Sequence, residues 1–559
     1  MKKGLLLIFQ MFIQLCFSQT WDWTRVGTGQ GNYTQEGNAI ATDLKGNTYL
    51  TGRFYGNSAS FGAVTLNNSS LNNQYADIFI AKYDSNGNVI WAKNLMGDDD
   101  DYSFAIATDD SCNVFVTGNF YSTYLVFDSD TLRNLYNNGC STFLAKFDSS
   151  GNTIWAKAGG SPASYGPCSY GLSTDRSGNV YICGTFPAGP IVFDDSLTVQ
   201  GYGLQNSVFI VKYNSKGKAV WGKSATSSWA GAAIATSLWA DTTGFIYVTG
   251  YYSASIVFGA YTLPSVATNA SAVFLAKYDS VGNVIWAKSF GGQGNSYDEA
   301  NSICGFDNKI YLTGFYSNPS IHFDSFTLNN DSAGGYDVFI TKFDSNGNTL
   351  WAKSDVGSNF DQGFSICADR NGNIYSSGGF QRNSITFDSF TLSVPLSSSD
   401  PMYLVKIDSL GTTQCAVAVA CGGDDMNGLC IDRNNNIYVG GDFWLTKTLT
   451  IGNDSFAPTN KENAFISKFS CNGFNEIYTY PKTKLQIFIY PNPGMGYISI
   501  ESTENISEIK ITNLLGQPVY ETKPNSQKSE INIDNPGVYF VNVTMGKQTV
   551  TKKIIILEK

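Results

Sequence analysis

One stretch of eighteen residues, DIFIAKYDSNGNVIWAKN from Asp77 to Asn94, returns with small changes down most of the chain. It recurs as STFLAKFDSSGNTIWAKA from Ser141, SVFIVKYNSKGKAVWGKS from Ser207, AVFLAKYDSVGNVIWAKS from Ala272 and DVFITKFDSNGNTLWAKS from Asp337. Two shortened copies follow from Met402 and Ala464. The lysines Lys82, Lys146, Lys212, Lys277, Lys342, Lys406 and Lys468 mark the register, at steps of 64, 66, 65, 65, 64 and 62 residues. A fixed period of this size means that each copy is one supersecondary unit, which buries its apolar face only against its neighbours.

Each copy reads as two hairpins. The first, such as Ala105–Phe120, has two β-rich runs joined by a polar turn opened by Asp109. Aspartate opening a turn and Gly-Asn closing it supply a side-chain acceptor and a residue tolerant of positive φ. The second run carries a late glycine: Gly52, Gly118, Gly184, Gly250, Gly314, Gly378 or Gly441. Glycine there marks a bulge or a close backbone approach. A variable loop follows, then the recurring stretch, itself a hairpin. Four strands in each of seven units predict an all-β fold, a seven-bladed β-propeller. WDWTRVG (Trp21 to Gly27) matches only the last strand of a unit, and Phe465 to Cys471 only the third. The spacing therefore predicts that Trp21 to Arg25 pairs antiparallel with Phe465 to Phe469, closing the last blade and removing free sheet edges.

With aromatics at 14%, charged residues at 15% and 56 glycines, the composition favours a turn-rich β protein over a helical or disordered one. The formal charge of −10 argues against nucleic acid or an anionic membrane as partners, since both need a basic face. Cys304, Cys367 and Cys430 occupy one repeat position, where earlier copies have Ala41, Ala107 and Ser173, so the position calls for a small buried side chain. No CxxC or Cys/His cluster points to a metal. Cys415 with Cys421 or Cys471 is the bridge considered.

Residues 1–18 read as a signal peptide. Lys2 and Lys3 precede an apolar run from Leu5 to Phe17, too short to span a bilayer, and Cys16 and Ser18 precede a cut before Gln19. No later apolar run reaches membrane length, so a mature chain without a transmembrane segment, and monomeric, is expected. The propeller is expected over 19–471, a polar linker over 472–485 and a second β unit, a small Ig-like sandwich, over 486–559. Its landmarks are Tyr490-Pro491-Asn492-Pro493, Gly516 in a turn, Gly537, Tyr539 and the closing Lys552-Lys553.

Two resemblances rest on these residues. Asp298 to Ile303 followed by Ile310-Tyr311-Leu312-Thr313-Gly314 resembles the bacterial β-propeller repeat of the SBBP type, over about Trp21 to Cys471. That family implies the fold and little about activity. The landmarks of the C-terminal unit resemble the C-terminal sorting domain, type A, of the type IX secretion system. This implies a Bacteroidetes-type source, the secretion machinery as partner, and release or cell-surface attachment. The sialidase-type Asp-box is absent, because Asp84, Gly87 and Trp91 are too widely spaced for it.

Chemistry is less legible. Asp101, Asp298, Asp361 and Asp424 each stand five residues before Ile106, Ile303, Ile366 and Leu429, at one place in the repeat. They read as loop-fixing carboxylates or as ligands of a Ca²⁺ ion, with Asp98, Asp99, Asp100 and Asp101 the candidate metal site. No other cofactor is implied. The recurring Trp91, Trp155, Trp221, Trp286 and Trp351 read as packing between blades. Trp229 and Trp239 break the repeat and are the candidate ligand contacts. His322, the single histidine, has no nucleophile pattern around it. A secreted or surface protein that binds extracellular polysaccharide or protein is expected, with a glycan-degrading hydrolase or lyase as the alternative.

Overall fold

The computed structural model describes residues 20–557 apart from 30–32, 71–73, 129, 135, 137–138, 163–165, 195, 202–205, 228–230, 265–269, 293–295, 331–334, 358–359, 382–383, 395–400, 420–426, 445–447, 453, 460, 471–486, 491–496 and 546–547. The expected signal peptide and linker lie outside the described residues. The chain divides into two compact units, one up to Tyr478 and one from Thr479.

The first unit is a seven-bladed propeller. Its innermost strands are Gln35–Thr42, Asp101–Thr108, Cys168–Thr174, Ala233–Ala240, Asp298–Phe306, Gln362–Ala368 and Gly428–Ile431, one for each of blades 1 to 7. In blade 1 the next three strands are Thr48–Phe54, Asp77–Tyr83 and Val89–Leu95, each antiparallel to the one before. Blades 2 to 6 repeat this order. Blade 7 takes its outermost strand from the other end of the unit. Thr20–Val26 pairs antiparallel with Glu462–Ser470, in a register that sets Trp21 opposite Phe469 and Val26 opposite Phe465. Each innermost strand packs against the innermost strand of the next blade, and Gln35–Thr42 packs against Gly428–Ile431, so the ring is closed.

The recurring stretch holds adjacent blades together. Its aspartate folds the turn: Asp148 Oδ1 accepts the N–H groups of Ser150 and Asn152 at 2.8 and 2.9 Å. Gly151 has φ +89°, and a Cβ there would also sit about 3.1 Å from the Trp91 ring of the preceding blade. Two constraints therefore fix that glycine, a left-handed backbone and an indole laid on top of it. Trp91 Nε1 and Lys82 Nζ both donate to Ser149 O in the same turn, at 3.2 and 2.7 Å. Trp221 and Lys212 reach Ser280 O, Trp286 and Lys277 reach Ser345 O, and Trp351 and Lys342 reach Ser409 O. At the closing seam Trp23 Nε1 donates to Ser85 O at 3.0 Å, and Arg25 Nε to Gly87 O at 2.8 Å. The N-terminal strand thus reproduces blade 7's contact with blade 1.

The late glycine of each second strand has its own cause. All six innermost strands that pair along their full length carry a register shift opposite it. The bulge presses the backbone inward, so a Cβ at Gly118 would meet Tyr102 O at 1.9 Å. The variable loops hold short hairpins, including Tyr124–Phe127 with Asp130–Arg133 and Ser320–Phe323 with Phe326–Asn329. These touch the outer strand of the preceding blade, as in the pairing of Gly159 with Phe193, Thr226 with Val257 and Thr28 with Ser60.

The C-terminal unit is a β-sandwich. A three-stranded sheet holds Ile487–Tyr490, Tyr497–Ile506 and Ser526–Asn532. A four-stranded sheet holds Pro518–Thr522, Glu508–Asn513, Gly537–Met545 and Gln548–Ile556. Ile498, Ile500, Ile509, Ile511, Val541, Val543 and Ile554 form its own core. Gly516, at φ +77°, turns the chain on the Asn513 side chain.

Replacing Trp23 with Ala removes a buried indole and its bond to Ser85 O. Urea unfolding of the Trp23→Ala chain is expected to show a loss of about 3 kcal/mol. An unchanged midpoint would mean that the seam does not depend on this contact.

Candidate functional site

Along a regular strand, side chains alternate between the two faces. A bulge inserts one residue and aims an additional side chain. The shifts in blades 1 to 6 fall between Gly37 and Ala39, Ser103 and Ala105, Ser169 and Gly171, Ala235 and Ser237, Ala300 and Ser302, and Gly363 and Ser365. The additional residues are Asn38, Phe104, Tyr170, Thr236, Asn301 and Phe364. Asn427, just before the innermost strand of blade 7, is their counterpart. All seven are half-buried.

Six of the seven line one cavity. It has a volume of about 520 Å³ and is lined by Asn38, Phe104, Tyr170, Thr236, Asn301 and Asn427, with Ile234, Tyr251 and Glu299. Since these residues come from the inner edges of six blades, the cavity lies at the centre of the ring.

Its wall has an aromatic side and a polar side. On the aromatic side, the Phe104 ring stacks on Tyr102 at 6.1 Å and 3°, and meets Tyr170 at 5.3 Å and 59°. Tyr102 is covered by the Arg53 guanidinium at 4.4 Å, and Arg53 makes a bidentate pair with Glu36 at 2.6 and 2.7 Å. The Glu36 charge is therefore neutralised within blade 1. On the polar side, Asn38 donates to Ser103 O, Thr236 to Ala300 O and Asn301 to Gly363 O, at 2.9, 2.7 and 2.9 Å. Each of these bonds crosses to the next blade. They use the amide NH₂ groups of Asn38 and Asn301 and leave their carbonyl oxygens uncommitted to any described residue.

Glu299 is the single carboxylate among the described lining residues. Burial, then the charge of neighbouring Asp298, pushes its carboxyl up to about 7. It makes no hydrogen bond to a described residue. Burial, and Glu299 behind it, raise the Tyr251 hydroxyl to about 12. The arrangement can stack an apolar face on Phe104 and Tyr170, bond hydroxyls through amide oxygens, and accept or donate a proton at Glu299.

The described residues among those singled out in the sequence lie elsewhere. Trp239 stacks on Tyr247 at 5.4 Å, and a Cβ at Gly305 in the next blade would come within 2.3 Å of its ring. It fills the seam between blades 4 and 5 and is not among the cavity's lining residues. Trp229, Asp424, Cys421, Cys471 and Pro491 to Pro493 lie outside the described residues, and Tyr490 ends a strand. The four aspartates of the acidic run do not converge. Asp98 accepts from Thr123 N and Oγ1, Asp99 from Asp100 N, and Asp100 from Ala76 N. Asp101 is buried and accepts from Ser122 Oγ at 2.8 Å and from two backbone N–H groups, with burial raising its pKa. Asp298 accepts from Gly292 N and Asn318 Nδ2. This is the geometry of carboxylates that fix their own loops. Among the described residues no group of three or more His, Cys, Asp or Glu could hold a metal ion. His322 sits exposed on an outer hairpin, with Nδ1 bonded to Thr327 Oγ1 at 3.0 Å. In the C-terminal unit, Tyr539 is buried and donates to Asn535 O, while Lys552 and Lys553 are exposed on the last strand.

Residues 488–557 match the family of secretion system C-terminal sorting domains. The protein is exported by the type IX secretion system through this domain, and is secreted or displayed on the cell surface. An uncharacterized WD repeat-containing protein of Acanthamoeba polyphaga mimivirus is 24% identical over 465 residues, covering 68% of this chain and 33% of that protein. The chain thus matches about a third of that relative's length. Among solved structures, a protein of unknown function from Dyadobacter fermentans matches at 9% identity and a TM-score of 0.39, covering 81% of this chain and 99% of that one. PorZ, a surface component of the type-IX secretion system of Porphyromonas gingivalis, matches at 11% identity and a TM-score of 0.23, covering 92% and 85%. Among the described residues no helix is long and apolar enough to cross a membrane.

Glu299 generates a pH prediction. With its folded pKa raised from 4.5 to about 7, the folded chain holds this proton over a range where the unfolded chain has lost it. Stability from this group is present at the acid end, falls as pH rises across that window and levels off above it. Melting curves between pH 5 and 8 should show a smaller fall for Glu299→Gln than for the native chain. Glu462, also raised to about 7, should keep part of the fall. Identical pH profiles would show that Glu299 titrates normally.

Proposed function

We propose that this is an extracellular binding protein whose axial cavity takes a sugar unit of a polysaccharide. The observation that carries the reading is the pairing of the adjacent Phe104 and Tyr170 rings with the amides of Asn38, Asn301 and Asn427. Pyranose rings present apolar faces that stack on aromatic rings and hydroxyl rims that bond to amides and carboxylates. A protein segment is the other ligand class that such a cavity suits. Glycoside cleavage needs two cooperating carboxyl groups. Among the described lining residues Glu299 is the single carboxyl, and Glu36 is held by Arg53, which favours binding over hydrolysis.

The reading extends to the whole chain. Residues 1–18 are removed before Gln19, the SBBP-type propeller spans 19–471, and the linker 472–485 presents the sorting domain 486–559 to the secretion machinery. Deleting 537–559 should leave the protein in the periplasm with its propeller folded; normal export of that chain would refute the assignment of the sorting role.

Binding is tested on a glycan array with the mature protein and with Phe104→Ala/Tyr170→Ala. The double variant removes two half-buried rings and should stay folded by circular dichroism while losing at least tenfold in affinity, equivalent to about 1.4 kcal/mol. Undiminished binding would place the ligand elsewhere. Release of oligosaccharides by the native chain, lost in Glu299→Gln, would favour the enzyme.

A further inference from the structure

Cys140 and Cys168 carry no disulfide in this structure. The two face each other across a blade seam. Cys140 immediately precedes Ser141–Phe147, the third strand of blade 2, and Cys168 opens the innermost strand of blade 3. At the equivalent place in other seams a backbone bond joins the two blades. Asp101 N donates to Ala76 O at 3.0 Å, Ala233 N to Asn206 O at 3.1 Å and Asp361 N to Tyr336 O at 2.9 Å. The donor's counterpart between blades 2 and 3 is Pro167, which has no N–H. The chains nevertheless approach closely: Cys140 Sγ lies 3.5 Å from Pro167 O, and a Cβ at Gly166 would collide with Cys140 O. The Cys140 sulfur thus stands beside the residue that precedes Cys168, and each thiol perturbs the ionisation of the other.

We propose that Cys140 and Cys168 form a disulfide between blades 2 and 3 once the chain is exported, replacing the backbone bond that Pro167 removes. Export places the pair where disulfides form and persist. The two thiols are not equivalent. Cys140 is buried, whereas Cys168 is half-buried beside Tyr170 of the cavity wall. Hydrogen bonds from Cys140, then from Tyr170 and Asn119, outweigh burial and lower the Cys168 thiol to about 7, while the Cys140 thiol is raised. Cys168 is therefore the attacking sulfur. Its thiolate displaces one sulfur from the disulfide of a thiol–disulfide oxidoreductase, forming a mixed disulfide. Cys140 then gives up its proton and displaces the second sulfur from Cys168. The oxidant leaves as a dithiol with two protons and two electrons, and the Cys140–Cys168 bond remains.

The test is maleimide labelling of full-length protein collected after export, denatured without reductant and then digested. The expected result is a single cross-linked peptide pair holding unlabelled Cys140 and Cys168, lighter by two hydrogens than the reduced pair. In Cys140→Ser, Cys168 should label fully. Reductant should lower the melting temperature of the native protein by several degrees and leave Cys140→Ser/Cys168→Ser unmoved. Full labelling of both cysteines in the exported protein, persisting after incubation with oxidised glutathione, would overturn the proposal. Should the serine variants fail to fold, the labelling of the native chain decides alone.

Discussion

Four seams of the ring each depend on one shared backbone carbonyl. In the turn between the third and fourth strands, the oxygen of Ser149, Ser280, Ser345 or Ser409 accepts a lysine and a tryptophan from the preceding blade. The turn's own aspartate holds that carbonyl in place, and the turn's glycine clears room for the indole. Isolated four-stranded sheets would leave their broad faces wet. The shared carbonyl brings each face onto its neighbour and fixes the angle at which they meet. Within each blade the chemistry is local, and the ring follows from repeating it from blade to blade.

That economy explains what could be read from the residues alone. The repetition is plain, because the lysine, the tryptophan and the turn take part in contacts that recur from seam to seam, with both side chains on one carbonyl at four of them. The splice was plain for the same reason: Trp23 and Arg25 stand where Trp91 and Lys93 stand one blade later, and Trp23 makes the same bond. The outer hairpins carry no such signal and look like variable loops in the sequence. They are held by short pairings and a few buried positions such as Leu125 and Phe127, too brief to show an alternating pattern.

The cavity was not legible, and the reason is geometric. A bulge breaks the alternation of a strand without leaving a mark in it, since any residue type can be the additional one. Here that residue is Asn, Phe, Tyr, Thr, Asn, Phe and Asn in turn. The tryptophans are conspicuous in the sequence because they are large and recurrent or irregular, yet Trp239 is occupied with Tyr247 and Gly305. Aligning the seven late glycines and reading the residue opposite the shift would have found the ring. Conserved scaffold and variable lining are then two readings of one repeat, the first fixed by seams and the second free to diversify.

The splice also has a mechanical side. Glu462–Ser470 is the last described strand of the propeller, and it lies between Ile437–Trp444 and Thr20–Val26. A pull on the chain beyond Ser470 acts along this strand. It therefore loads two ladders in shear, with all their bonds strained together, rather than peeling an edge strand one bond at a time. A propeller closed in this way resists drag on a tethered molecule better than one whose last strand is the outermost.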